Sequence, residues 1–329
     1  MLNVLITVDT EFWPCNKAWP DPASAHPIAG LDEAYRRGVL GRTPAGDYGL
    51  PYLLQSLRRH NLHGVFFVES LSASALGEPW LRHSVSQIQD AGQEVQLHLH
   101  TEWLSDVAMQ ELPLKPLQNL GEYSLEEQTA IVRHGLASLR AAGAPDVIAM
   151  RAGNMGGNVD TPSAARAAGL ALDLSFDPSL GPETRALLRA LREKSSGDRA
   201  CPTIPLSFVR DYPGHYRPAQ LTALSFRELR GALYEAMRDE WPCFVILLHS
   251  FELVHRTGQR FGPLRPNPIN VERWNRLCEF LAQHRDTFPT VGCHSLLPGA
   301  EFSYLPQGAR TLPLDTARRM AEQLASRFM

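Results

Sequence analysis

Four short stretches hold the residue types that can do chemistry. In Thr7-Val8-Asp9-Thr10-Glu11, two carboxylates stand two apart at the end of the apolar run Val4–Asp9. Side chains alternate along a strand, so Thr7, Asp9 and Glu11 share a face. Burying such carboxylates is costly unless something pairs with them; read alone, Asp9 caps a loop and Glu11 is solvated. In Glu94-Val-Gln-Leu-His98-Leu-His100-Thr-Glu102-Trp103, the side chains of Glu94, Gln96, His98 and His100 point one way. Two imidazoles at i and i+2 on a strand face can grip one divalent metal; the competing reading is a pair of satisfied core histidines. Met150-Arg151-Ala-Gly153-Asn154 opens a glycine-rich loop on an arginine, but it has neither the Walker pattern nor G-x-G-x-x-G. Leu247-Leu248-His249-Ser250-Phe251 ends the most apolar strand on a histidine, which alone reads as a strand-end cap. One shared site accounts for all four stretches at once.

The elements around these residues alternate between short apolar runs and helix-period segments. Strand candidates are Val4–Asp9, Gly64–Glu69, Glu94–His100, Val147–Arg151, Leu170–Ser175, Ile204–Val209, Phe244–His249 and Thr290–Cys293. Val65–Val68 and Phe244–Leu248 are continuous apolar runs, as strands buried on both faces require. Ser124-Leu-Glu-Glu127 and Ser225-Phe-Arg-Glu228 are capping boxes that start helices. Val271, Trp274, Cys278 and Leu281 mark another helix. A last amphipathic helix, about 314–328, carries Leu314, Ala317, Ala321, Leu324 and Phe328 as its inward face. Seven or eight β-α units without a linker point to an α/β chain of one domain, 1–329, with a parallel sheet. An open doubly wound sheet would use similar units, and it is the motifs that turn the expectation to a single (β/α) barrel of seven or eight strands. Its active site would sit at the C-terminal strand ends, where acids, histidines and the arginine converge. Residues 12–50, rich in Pro and Gly, form a long insertion after the first strand, and loops that long inside a domain are usually functional.

Composition narrows the function. The 329 residues are 44% hydrophobic and 20% charged, which excludes a disordered chain. A net charge of -3 gives no basic field for nucleic acid or anionic lipid, so a small-molecule or oligosaccharide substrate is expected. Cys15, Cys201, Cys243, Cys278 and Cys293 are odd in number and contain no C-x-x-C, which fits a reducing compartment. The N-terminal apolar run is short, has no basic leader and meets an acid directly. No stretch is apolar enough to span a membrane. A cytoplasmic address is the expectation.

At these residues the chain resembles the polysaccharide deacetylase superfamily, including chitooligosaccharide and peptidoglycan deacetylases, and in particular its branch in bacterial surface-glycan biosynthesis. The resemblance runs from Val4 to about Phe251, with motifs in the family's order. It implies Asp9 as catalytic base and Glu11, in place of the usual Asp, as a metal ligand. The family's second motif, a histidine followed four residues later by another, has His98 in its first position and Glu102 in its second; either His100 or Glu102 completes the metal set. Arg151-Ala-Gly153 is similar to the third motif, whose arginine orients the base. Leu247-Leu248-His249 matches the last, making His249 the general acid. The fourth motif, an Asp-bearing segment that tunes that histidine, is echoed only loosely by Asp173 or Asp177.

What the resemblance implies is removal of an N-acetyl group from an amino sugar or glycan precursor, with a divalent metal, zinc foremost, as cofactor. Candidates for substrate contact are Trp13, Trp103, Asn154 and Phe251, because aromatic faces suit sugar rings. Three alternatives stay open at this stage: a related hydrolase of a non-sugar amide, an amidohydrolase-type barrel, and a glycan-binding protein with a degraded site. The amidohydrolase barrel places H-x-H on its first strand, whereas here it falls on the third.

Overall fold

The computed structural model describes residues 1–11, 33, 35–104, 112–194, 200–256, 264–297 and 308–325. The strands used below are β1 (Asn3–Thr10), β2 (Gly64–Glu69), β3 (Glu94–Leu99), β4 (Ala149–Ala152), β5 (Leu172–Asp173), β6 (Phe208–Tyr212), β7 (His215–Pro218), β8 (Cys243–His249) and β9 (Ala309–Arg310). The main helices are α1 (Leu50–His60), α2 (Pro79–Asp90), α3 (Leu125–Ala141), α4 (Thr161–Ala167), α5 (Pro182–Lys194), α6 (Phe226–Arg238), α7 (Pro268–Gln283) and α8 (Pro313–Ala325).

Six parallel strands in the order β8-β1-β2-β3-β4-β5 curl into a half-barrel with helices around it. Residue parity sorts the two faces. Val4, Ile6 and Val8 join the large core cluster shared with the helices, while Leu5, Val65, Phe67, Ala149, Val245 and Leu247 make a second one. Thr7 and Asp9 continue the parity of Leu5, and Arg151 that of Ala149, so the chemical residues lie on the concave face. The capping boxes at Ser124 and Ser225 both form and start α3 and α6.

Two expected strands do not join the sheet. Along Ile204–Val209, Pro202 and Pro205 remove ladder donors, and the chain instead makes scattered bonds on both sides. Ile204 N–H donates to Asp173 O (2.8 Å), Leu206 N–H to Phe176 O (2.9 Å) and Ser207 N–H to Val245 O (3.3 Å). Residues 204–207 therefore span the gap between the β5 and β8 edges without being a regular strand, and Phe208 and Val209 begin β6, which pairs with β7 and β9 in a separate sheet. Thr290–Cys293 makes a single bridge, Thr290 beside Val4, and then turns into the 3-10 segment Cys293–Leu296. Glu94 packs so tightly against Gly292 that no side chain would fit there.

Glu94 and Gln96 share the face of His98 and His100 but stitch the opposite end of the barrel. Gln96 Oε1 accepts from Ile148 N–H (2.9 Å) and Ala149 N–H (2.7 Å), while its Nε2 donates to Glu94 Oε1 (2.7 Å). Only the two histidines of the four reach the mouth.

The C-terminal helix is turned the other way from expectation. Leu314 is 64% exposed and Leu324 57%, with Ala317 and Ala321 also outward, whereas Thr316 and Arg319 are buried; Phe328 lies outside the described residues. The reason is electrostatic. Asp211 and Glu228 have side chains with no exposed surface, and Arg217 (2.7 Å to each) and Arg319 (3.6 and 3.4 Å) surround them. Buried carboxylates must be paired, and α8 supplies one of the two cations. Among the described residues, no helix is long and apolar enough to cross a membrane.

Replacing Arg319 with Ala should therefore cost about 3–5 kcal/mol, the range for a buried ion pair that loses one partner. Leu314→Ser with Leu324→Ser should stay within about 0.5 kcal/mol each, as surface changes do. Urea unfolding of both variants measures the difference, and equal losses would contradict the inverted packing.

Candidate active site

Strand register brings the four stretches together. Asp9 on β1 lies opposite His249 on β8, and His98 on β3 lies opposite Arg151 on β4. Arg151 is 0% exposed. Its Nη1 donates to Asp9 Oδ1 at 2.6 Å, its Nη2 to Thr7 Oγ1 at 2.9 Å and its Nε to Leu174 O at 3.3 Å. The guanidinium also lies 4.3 Å from the centre of the Phe67 ring. Thr7 can accept from Arg151 because its own hydroxyl donates to Ile246 O (2.7 Å). Asp9 is thereby fixed through one oxygen, and its other, Oδ2, stands 4.0 Å from Nε2 of both His98 and His249.

Glu11, His98 and His100 converge beside it, each with one ligand atom within 4.8 Å of the others. Glu11 Oε2 is 2.6 Å from His100 Nε2 and 3.3 Å from His98 Nε2. The outward nitrogens of both rings are tied down. His98 Nδ1 donates to Arg151 O (2.8 Å), and His100 Nδ1 donates to Glu102 Oε2 (3.2 Å). Such bonds fix the tautomer and turn Nε2 inward, the arrangement found behind metal-bound histidines. Glu102 thus stands on the far side of His100 from Glu11, where Asn154 Nδ2 donates to its Oε1 (2.9 Å). Asn154 has φ 57 and Met155 φ 51; Asn tolerates this left-handed region better than most residues. Glu69, at the end of β2, accepts from Leu71 N–H (2.9 Å), Ser72 N–H (2.9 Å) and His100 N–H (3.3 Å).

Asp9 pairs with Arg151, and Glu11 and Glu102 pair with His100, while burial raises the pKa of Glu69. Burial works against the charge of Glu11, but the charge and hydrogen bonds of His100, with help from His98, hold its carboxyl well below the usual range. Burial likewise works against protonating His100, yet Glu11 and Glu102 push its pKa well above the ordinary histidine value. A proton held between an imidazole and a carboxylate is what a metal ion displaces on binding. One carboxylate, two inward Nε2 atoms and tied outer nitrogens fit a divalent cation.

His249 faces the cluster from the other side. Its Nδ1 donates to Glu252 Oε1 at 2.8 Å, and the Gln220 amide also reaches that oxygen. Burial lowers the pKa of His249, but the hydrogen bond and charge of Glu252, with the charges of Glu11 and Asp9, push it up to about 9. Phe251 stacks on the imidazole, 5.1 Å between ring centres. Trp103 is buried just beyond the histidine pair, and Trp13 lies outside the described residues. Neither Asp173 nor Asp177 approaches His249. Asp173 bonds Ser175 with burial raising its pKa to about 7, and Asp177 caps Ser179 N–H (2.8 Å). The carboxylate beside His249 is Glu252, which sequence reasoning missed although His-x-x-Glu across a turn is a readable spacing.

With this geometry in view, the comparisons with known proteins concern the fold. No family model matches the sequence, and no curated protein matches it either. Among solved structures, a candidate polysaccharide deacetylase from Mycobacterium smegmatis is 19% identical with a TM-score of 0.54, covering 94% of this chain and 93% of that one. A family 4 carbohydrate esterase from Streptomyces lividans, solved with acetate, is 11% identical at TM-score 0.40, covering 93% and 97%. A peptidoglycan deacetylase from Bacillus subtilis is 12% identical at TM-score 0.38, covering 100% and 98%. The first likeness is the one that carries the fold: the chain has the polysaccharide-deacetylase fold expected from its motifs.

A Cβ added at Gly153 would stand 2.7 Å from the His100 ring. Gly153→Ala should therefore displace that imidazole and weaken zinc binding by roughly 10–100-fold, the usual range for disturbing a ligand's support. Zinc titration by calorimetry into the metal-stripped protein measures it. Unchanged affinity would mean that His100 is not held from this side.

Proposed function

We propose that the chain is a metal-dependent hydrolase that removes an N-acetyl group from an amino sugar or a glycan precursor of surface polysaccharide. One observation carries this reading: Asp9 Oδ2 lies 4.0 Å from Nε2 of both His98 and His249, between a candidate ligand cluster and a candidate acid. The fold shared with the Mycobacterium smegmatis structure, itself described as a candidate polysaccharide deacetylase, supports this reading.

Glu11, His98 and His100 are the residues that would hold the metal, with Glu102 positioning His100 from behind. A divalent cation bound there supplies Lewis acidity to the amide carbonyl and makes a water more acidic. Asp9, with one oxygen tied to Arg151, keeps the other free to take the attacking water's proton. Arg151 keeps Asp9 oriented through its 2.6 Å hydrogen bond, and it cannot itself give up a proton. His249 presents Nε2 to the mouth and gives its proton to the amine nitrogen as the C–N bond breaks. Its raised pKa keeps it protonated at neutral pH, as a donor must be. Phe251 offers a ring face for a sugar, whereas Trp103, expected as a second contact, is buried in the core cluster and presents no face to the mouth. Asn154 stands at the rim through its bond to Glu102.

Asp9→Asn and His249→Ala should each lower kcat by about 10²–10⁴, read as acetate released from acetamido sugars. Full activity in either variant would sink the assignment. The pH dependence has a definite sign. The folded pKa of His249, about 9, lies above the unfolded value of ~6.5. Its contact with Glu252 therefore contributes stability that is fully present below ~6.5 and lost as pH rises through about 9. Activity should fall over the same alkaline limb, and Glu252→Gln should move that limb to lower pH. A pH–rate profile that does not shift in Glu252→Gln would remove His249 from the donor role.

A further inference from the structure

Glu252 is buried, and its hydrogen bonds are unevenly placed. Oε1 takes both side-chain contacts, from His249 Nδ1 at 2.8 Å and from Gln220 Nε2. Among the described residues, Oε2 is buried without a hydrogen-bond partner. The Gln220 amide has to present its nitrogen here, because an ionised carboxylate only accepts. The same nitrogen is 3.4 Å from His249 Nδ1, which is itself a donor toward Glu252, so the amide acts on the carboxylate and not on the ring. Without Gln220, His249 would be the one side chain among the described residues to hold the Glu252 carboxylate.

Gln220 is itself held from several directions. A parallel bridge sets it beside Leu247, two residues before His249. The three carbonyls that follow are each taken by a different side chain. Arg273 Nη1 from α7 donates to Leu221 O (3.1 Å), Gln323 Nε2 from α8 to Thr222 O (3.2 Å), and Arg217 Nη1 to Ala223 O. Arg217 belongs to the buried ion network that also docks α8 through Arg319. The backbone of Glu252 is fixed separately, by Asn270 Nδ2 donating to its carbonyl (2.8 Å).

We propose that Gln220 is a positioning residue for His249, acting through Glu252, and that the C-terminal helix α8 holds it in place. The helix that offers its leucines to solvent is, on this view, a strut whose polar face reaches the acid by way of residues 217–223. Because Gln220 touches no reacting atom, its loss should lower kcat and leave substrate affinity alone. This inference rests on His249 being the proton donor of the proposed deacetylation.

The test uses the full-length chain. In Gln220→Leu, kcat for acetate release should fall roughly tenfold, a part of the ~10²–10⁴ attached to the acid itself, with KM within about twofold. Gln323→Ala, which also removes the acceptor of a 2.6 Å bond from Arg319 Nη1, should give a smaller loss of the same kind. A charge swap separates positioning from packing. Gln220→Glu alone sets two carboxylates in contact and should be worse than Gln220→Leu. Combined with Glu252→Gln, it returns a carboxylate to within reach of Nδ1 and should recover at least tenfold over Glu252→Gln alone, a coupling that independent sites would not show. A readout free of substrate accompanies these rates: the downfield Nδ1–H resonance of His249 in protein labelled with ¹⁵N-histidine, sharp in wild type and lost in Gln220→Leu. If wild type releases acetate while Gln220→Leu keeps both its kcat and that resonance, the clamp is wrong and the deacetylase reading stands. If no acetamido sugar is turned over, the resonance alone decides: its loss in Gln220→Leu supports the clamp, and its persistence overturns it.

Discussion

A guanidinium with no exposed surface lies under the mouth of the half-barrel, joined to Asp9, Thr7, the carbonyl of Leu174 and the face of Phe67. Such a charge is tolerated in the interior only when it is paired and all its geometry is good. Arg151 meets that condition by reaching from β4 across to β1, so the curl of the sheet and the position of Asp9 are set together. Its own carbonyl meanwhile accepts from His98 Nδ1. One residue therefore orients the candidate base with its side chain and a candidate ligand with its backbone. Displacing it would disturb both halves of the site.

Around that pair, the mouth collects acidic side chains and imidazoles. Glu11 Oε2 stands 2.6 Å from His100 Nε2, and Glu102 leans on the other edge of the same ring. The two carboxylates meet different nitrogens, which gives them different work. The one facing the cluster can bind a cation, and the one behind can only turn and tune the imidazole. His249 repeats the second arrangement with Glu252. Each of these two imidazoles thus has a carboxylate fixing its outer nitrogen, the feature that makes a histidine's inner nitrogen predictable.

The supports for this chemistry come from unlike sources. His100 is braced by a loop whose residues Asn154 and Met155 take left-handed backbone angles, packed so close at Gly153 that a side chain there would have to move the His100 ring. His249 is braced by Glu252 and Gln220, and residues 221–223 are gripped by arginine and glutamine side chains from three directions. Both braces are polar and largely buried, and both pass through segments between strands. The sheet supplies register and the connections supply orientation, which is the usual division of labour at the C-terminal end of a barrel.

Local patterns in the chain determined much of this. Continuous apolar runs specified β2 and β8, the two Ser-x-x-Glu boxes started α3 and α6, and alternation placed Thr7, Asp9 and Glu11 on one face with His98 and His100 on another. These features depend on neighbours within a few residues, so they can be read without the fold. Long-range pairing could not be read that way. Asp9 and Arg151 are 142 residues apart, and the side chain that meets His249 Nδ1 was not the aspartate the motif order suggested but a glutamate three residues on. Nor did periodicity show which face of α8 is buried. Its leucines mark an apolar stripe, but Asp211 and Glu228, from other elements, bury the opposite face because their own charges have to be neutralised. The sequence by itself determined the strands β1–β5 and β8 and the faces on which their chemical side chains stand; only the tertiary structure decided which charges meet and which face of α8 they bury, because pairing depends on atoms that the chain order keeps far apart.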